Sequence, residues 1–204
     1  MNLIKFPIRE ILIERRIFHP MIKFWILRET KQVFASRPFN VDQKDYEKPD
    51  NKGEFTAYSL NLPNWVNIIG KVVEGPQKGK IILIRQYRFG TDQIELEIPG
   101  GVIDTGEEPE HAARREMEEE TGFNVKCLKQ IGMVAANPAI MNNHVYTFLA
   151  EITPTGQQHL DPDEIIENEF ATMKEIRNYL KTGKITNAYI VAAFHWLALH
   201  EELK

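Results

Sequence analysis

The run GVIDTGEEPEHAARREMEEETGF, from Gly101 to Phe123, constrains this chain more than any other stretch of it. Pro109 suits the first turn of a helix, where its missing N–H leaves no bond unmade. Gly122 suits the left-handed position just past a helix end. Together they predict a helix of about three turns over 109–121. At about 100° per residue, Glu116, Glu119 and Glu120 fall within an arc of about 100° around Ala112. Ala113 and Met117 lie on the adjoining flank, which should pack on the domain, while Glu118 points elsewhere, into solvent.

Such a carboxylate cluster is unfavourable by itself. Glu116 and Glu120 repel at i,i+4 spacing by roughly a few tenths of a kcal/mol. The acids from Glu116 onward also sit near the negative end of the helix macrodipole. A hard cation would remove both penalties, and oxygen-only ligands suit Mg²⁺ or Mn²⁺ rather than zinc. Mg²⁺ typically takes a few carboxylates plus substrate phosphates, which points to phosphoryl chemistry. A solvated acidic helix is the plain alternative for three glutamates alone, but it does not explain the rest of the run.

Gly101, Glu107, Arg115, Glu116, Met117, Glu119, Glu120, Gly122 and Phe123 stand at the fixed positions of a known pattern. The run resembles the Nudix box, the loop-helix-loop that holds divalent metal in enzymes cleaving nucleoside diphosphates linked to another moiety. One departure concerns Glu108: many such boxes place Ser or Thr there as helix cap. Glutamate is a weaker cap, although negative charge at a helix N-terminus is favourable.

Composition sets wider bounds. A chain of 204 residues is one domain plus an extension, or two small domains. Its net charge of −4 leaves no electrostatic footprint for nucleic acid. Cys127 is the one cysteine, so no internal disulfide forms; its strand-like VKCL setting suggests a buried structural thiol in a reducing cytosol. The apolar MIKFWIL is hemmed by Arg9, Glu10, Glu14, Arg15, Arg16, Lys23 and Arg28, which fits neither a secretory signal nor a membrane span. The expectation is a cytoplasmic enzyme, with no membrane partner.

Residues 1–60 read as an N-terminal extension and 61–204 as the main domain. The stretch Ile4–Ile26 is broadly helical or mixed, broken by Pro7 and Pro20. Residues 31–60 read as two strands around a loop at Pro49, Asp50, Asn51 and Gly53. Beyond Trp65, WVNIIGKVVE and KIILIRQYRF are paired strands joined across GPQKG, and IELEIPGG is a short strand entering the box. VKCLKQIGMV and HVYTFLAEI follow as strands with ANPAIMNN between them. EFATMKEIRNYLKTG is a strand and a short helix ending at Gly183, and the last helix has Thr186 or Asn187 as cap. This layout is α/β and matches the Nudix-type α/β/α sandwich with mixed β-sheets. The β-rich extension resembles, by layout, the small extra sheet of ADP-ribose pyrophosphatases, which implies a homodimer.

The resemblance also implies roles. Glu116, Glu119 and Glu120 would bind metal with the backbone carbonyl of Gly100, the ion being Mg²⁺, with Mn²⁺ as an alternative. Arg115 would orient the carboxylates, and Glu107 would tie the box loop to its helix. Water would attack a diphosphate phosphorus, metal assisting by lowering water's pKa and stabilising leaving-group charge. Glu119 and Glu120 count as catalytic, and a general base is sought in LDPDEIIENEF: Glu164 first, with Asp163 and Glu167 as rivals. Arg88 is the substrate-phosphate candidate because a guanidinium fork matches phosphate geometry; an ion pair with Glu95 or Glu97 is the structural alternative. Glu97 matches a glutamate near the active site in similar enzymes. Trp65 is either a stacking platform for a base or a core or interface residue.

Pro138 sits where ADP-ribose pyrophosphatases carry a proline, but their following glycine is absent, which points to broader nucleoside diphosphate sugar hydrolases. Asn142 and Asn143 are candidates for sugar hydroxyls, although paired asparagines are also ordinary turn chemistry. The implied activity is hydrolysis of ADP-ribose or a related nucleoside diphosphate sugar to a nucleoside monophosphate and a sugar phosphate. The alternative is a Nudix-fold sensor that binds such a ligand without turnover.

Overall fold

A computed structural model gives the fold. The chain divides into two compact units, Met1–Leu60 and Asn61–Lys204, and the structure describes residues 23–37 and 39–202. The mixed segment expected over Ile4–Ile26 lies almost wholly outside the described residues.

In the first unit, β1 (Ile26–Ala35), β2 (Asn40–Glu47) and β3 (Glu54–Asn61) form a three-stranded sheet in the order β1-β2-β3. The sequence suggested two strands. The difference is β1, which begins in the segment read as mixed and pairs antiparallel with β2 from Ile26↔Glu47 to Ala35↔Asn40. Its residues are exposed throughout, so no in/out alternation marks it. Trp25 gathers Phe55 and Tyr46 edge-on, at ring separations of 5.3 and 6.4 Å.

The second unit holds a six-stranded sheet. Its path runs β6 (Gln93–Glu97), β5 (Ile81–Arg88), β4 (Trp65–Val72), β8 (His144–Pro154) and β7 (Phe123–Ala135), with β9 (Ile166–Ala171) paired to β5. The β4–β8 pair is parallel and the other registered pairs are antiparallel, so the sheet is mixed.

Strand alternation sends β4 side chains to both faces. Val66, Ile68 and Val72 pack with Ala112, Ala113 and Met117 of α1 (Pro109–Thr121). Ile69 on the other face packs with Ile176 of α2 (Met173–Thr182) and with Ile190, Ala193 and Phe194 of α3 (Ala188–Glu202). Helices cover both faces, the α/β/α sandwich with a mixed sheet that the resemblance implies.

The predicted boundaries of α1 hold at both ends. Pro109 opens the helix, Glu108 makes no side-chain cap bond, and Gly122 closes it at φ 70° with its N–H donating to the Glu118 carbonyl. Met117 is fully buried, a contribution of about 1.5–3 kcal/mol for such a side chain. Cys127 corrects the expectation of a buried thiol: it is exposed. It sits at a register irregularity of the edge strand β7, between Val125 and Cys127, where alternation breaks.

Candidate active site

Helix α1 carries the acids to one place. Buried Ala112, Ala113 and Met117 fix its rotation against the sheet, which leaves Glu116, Glu119 and Glu120 on the adjoining arc and Glu118 in solvent. Glu120 is 3% exposed and its Oε2 accepts the Gly100 N–H at 2.8 Å. A Cβ on Gly101 would overlap the Glu116 carboxylate, and one on Gly100 would overlap the Val66 carbonyl. Gly101 therefore lets the loop press against the Glu116 carboxylate, and Gly100 lets it lie close on the β4 backbone while its N–H meets Glu120.

Arg115 is the hub of the cluster. Its Nη1 donates to Glu116 Oε1 at 2.8 Å and to Glu119 Oε2 at 3.0 Å. Its Nε and Nη2 fork onto Glu107 at 3.1 and 3.0 Å, and Nη2 also reaches the Val102 carbonyl. Glu107 in turn accepts the Asp104 N–H. This is the ion pairing expected of Arg115 and the loop-to-helix tie expected of Glu107. Hydrogen bonding to Arg115 holds the Glu107 carboxyl below its ordinary range.

The deeper carboxylates behave oppositely. Burial pushes Glu116 up to about 7 despite the attraction of Arg115, with Glu119 and Glu164 adding repulsion. Burial also drives Glu120 well above the ordinary range, against the pull of the Gly100 N–H and of Arg88. Burial opposes the charge on Arg88, but its bond to Glu97 and the fields of Glu120 and Glu164 raise its pKa overall. Glu164, half-buried on the loop before β9, thus acts electrostatically on Glu116, Glu120 and Arg88. Its sequence rivals Asp163 and Glu167 are both exposed.

The loop bearing Glu164 is clamped to the end of α1. His159 N–H donates to the Glu119 carbonyl at 2.8 Å, and Gln158 Nε2 donates to that of Glu120 at 2.5 Å. Asn168 Nδ2 donates to the Thr121 carbonyl at 2.9 Å, and Thr155 serves that of Gly122. These bonds satisfy the carbonyls that a helix C-terminus leaves open. Sequence reasoning missed them, because nothing local to Gln158 or Asn168 names a partner tens of residues away.

On the far side, Arg88 Nε and Nη2 donate to Glu97 Oε2 at 3.2 and 2.5 Å. Glu97 is 3% exposed, and its Oε1 accepts from Asn187 Nδ2 at 2.8 Å. The Glu97 alternative raised for Arg88 is therefore present, while Arg85 pairs with Glu169. Half-buried Trp65 packs edge-on against Tyr189 at 5.7 Å. Pro138 and Asn142 lie on the β7–β8 loop. Asn142 Oδ1 accepts the Leu62 N–H at 3.0 Å and its Nδ2 donates to Asn61 at 2.8 Å. Its amide is committed to the chain entering β4.

The donor set fits a divalent cation. It is all oxygen, and among the described residues buried Glu120 has no cation bonded to it, only the Gly100 N–H. Among the described residues no three His, Cys, Asp or Glu side chains stand in a ready metal geometry. Arg115 Nη1 lies between Glu116 and Glu119, so an ion would take over bonds that Arg115 now makes.

A sequence model of the NUDIX domain matches residues 66–194. The ADP-ribose pyrophosphatase of Bacillus subtilis (strain 168) is 30% identical, aligned over 85% of this chain and 92% of its own length. The methanol dehydrogenase activator of Bacillus methanolicus is 29% identical over 86% of this chain and 94% of its own. Among solved structures, an ADP compounds hydrolase superposes with a TM-score of 0.75 at 22% identity, covering 89% of this chain and 96% of that one, a likeness of fold. With the box glutamates gathered on α1, the sandwich built around them and these matches spanning most of its length, the chain belongs to the Nudix family.

Proposed function

We propose that this protein hydrolyses the diphosphate bond of ADP-ribose or a related nucleoside diphosphate sugar, releasing a nucleoside monophosphate and a sugar phosphate. The observation that carries the reading is the pair of acids on α1, Glu120 buried and Glu116 mostly so, coupled electrostatically to Glu164 and, for Glu120, to Arg88. The name of its Bacillus subtilis relative, ADP-ribose pyrophosphatase, supports the substrate class. Nudix hydrolases generally use divalent metal ions.

In this reading Glu116, Glu119, Glu120 and the Gly100 carbonyl hold the ion, Mg²⁺ by preference and Mn²⁺ as substitute. When bound, such an ion neutralises phosphate charge, acidifies water and stabilises the leaving group. Glu164 takes the proton from the water that attacks phosphorus as the bridging P–O bond breaks. Arg88, held by Glu97, binds a phosphate oxygen. Pro138 shapes the lip of the site, and Asn142 reaches a sugar hydroxyl only by releasing Asn61 or Leu62. The proposed division is an extension over 1–60 and a hydrolase domain over 61–204. The proposed setting is the cytoplasm, without nucleic acid, as a homodimer; no described helix is long and apolar enough to cross a membrane. The exposed Trp25, Phe34, Phe55 and Tyr58 of the first unit support the dimer.

The test is turnover of ADP-ribose beside GDP-mannose, UDP-glucose and NADH, with products separated by chromatography. Release of AMP, GMP or UMP supports the reading, and the relative rates name the substrate. Tight binding of one compound without turnover would favour a sensor instead.

A further inference from the structure

We propose that Asn187 is a positioning residue for substrate binding: it locks Glu97, and through Glu97 it aims the Arg88 guanidinium. The inference rests on the reading of Arg88 as a phosphate contact.

Strand pairing does not aim Arg88 by itself. The β5–β6 register sets Arg88 opposite Gln93 and Glu97 opposite Ile84, so the Arg88 side chain must lie back along the hairpin to meet Glu97. A long side chain, 42% exposed, holds that direction only if its partner is fixed. Glu97 is fixed because its two oxygens have separate donors. Oε2 accepts Nε and Nη2 of Arg88, and Oε1 accepts Asn187 Nδ2 at 2.8 Å. Without Asn187 one oxygen of a nearly buried carboxylate loses its donor, and the group is free to turn with Arg88 attached.

The other half of the Asn187 amide does a different job. Its Oδ1 accepts the Tyr189 N–H at 2.9 Å, capping α3. Capping needs only that acceptor, which Ser or Asp supplies about as well. The Nδ2 donor is the part that neither replacement has. Asparagine is therefore the side chain that joins the helix cap to the Arg88–Glu97 pair, and the two roles come apart by substitution.

The test compares wild type, N187S, N187D, R88Q and N187S/R88Q. Binding of ADP-ribose is measured by calorimetry in EDTA, KM and kcat with Mg²⁺, and melting is recorded for each. N187S should stay folded but melt a few degrees below wild type, because one Glu97 oxygen loses its donor, while Kd and KM rise about tenfold at nearly unchanged kcat. N187D, which keeps the cap but sets a second carboxylate against Glu97, should bind more weakly still, and it carries the test if N187S does not fold. Adding N187S to R88Q should change binding little, since both act through one guanidinium. Wild-type KM and Kd in both Asn187 variants beside an impaired R88Q would overturn the inference alone. So would an Asn187 effect that adds in full to that of R88Q. A wild-type protein that neither binds nor hydrolyses ADP-ribose or the other nucleotide sugars would remove the proposed function and the inference with it.

Discussion

Glu116→Gln should make the metal-free protein more stable while abolishing its activity. Burial holds the Glu116 carboxyl at about 7, against an ordinary 4.5, and its side chain is 13% exposed. Each pH unit of such displacement corresponds to about 1.4 kcal/mol, so ionised Glu116 opposes folding by about 3 kcal/mol above pH 7. The sign follows from the raised value. Stability is fully present below the unfolded carboxylate range near 4.5 and is lost as pH rises through about 7. Gln mimics the neutral carboxyl at every pH. Urea unfolding in EDTA should therefore show wild type weakening between pH 5 and pH 8 and E116Q exceeding it at pH 8 by about 3 kcal/mol. Mg²⁺ should restore wild type at pH 8 and do little for E116Q, because only a folded state that binds the ion gains from it. Equal wild-type and E116Q stability at pH 8 without metal would refute the claim that burial of the Glu116 charge outweighs its pairing with Arg115.

Other sites give further expectations. Gly101→Ala places a methyl on the Glu116 carboxylate, the end of a side chain that can swing aside, and should cost less than about 1 kcal/mol in urea unfolding while lowering kcat by displacing that carboxylate. Gln158→Leu leaves the Glu120 carbonyl without its donor, at about 1–3 kcal/mol, and should speed hydrogen exchange across the loop that carries Glu164. Thr172→Ala removes the capping box of α2, in which Thr172 Oγ1 accepts the Glu175 N–H, and should cost about 1 kcal/mol with KM and kcat unchanged. The bond from the Thr172 backbone N–H, which the alanine variant keeps, depresses the Glu175 carboxyl, so that bond is favoured above the ordinary 4.5 and is lost as pH falls below it.

Helix α1 was legible because its determinants are local. Pro109 and Gly122 mark its two ends and the spacing of Glu116, Glu119 and Glu120 gives its acidic face, all within one short stretch. The strands after Trp65 were legible for the same reason. β1 was not, since an exposed strand shows no alternation, and Cys127 was misjudged because a break in register turns it outward. Asn187 was legible as a cap but not as the donor to Glu97, a contact 90 residues away in sequence. Asn142 presents the converse: its amide looked available for sugar, and the chain entering β4 occupies it. Side chains whose partners come from distant strands or loops carry no signal of those partners in their own neighbourhood.

The most direct test of the central claim, that the acids on α1 serve metal-assisted cleavage of a diphosphate, is ADP-ribose hydrolysis by wild type and Glu120→Gln, each with Mg²⁺ and with EDTA. Wild type should release AMP and ribose phosphate only with Mg²⁺. The variant should lose at least about two orders of magnitude in kcat, roughly the effect of deleting one transition-state charge contact, while still binding ADP-ribose. Undiminished turnover by E120Q, or equal wild-type turnover in EDTA, would contradict the assignment of Glu120 and of the cluster around it.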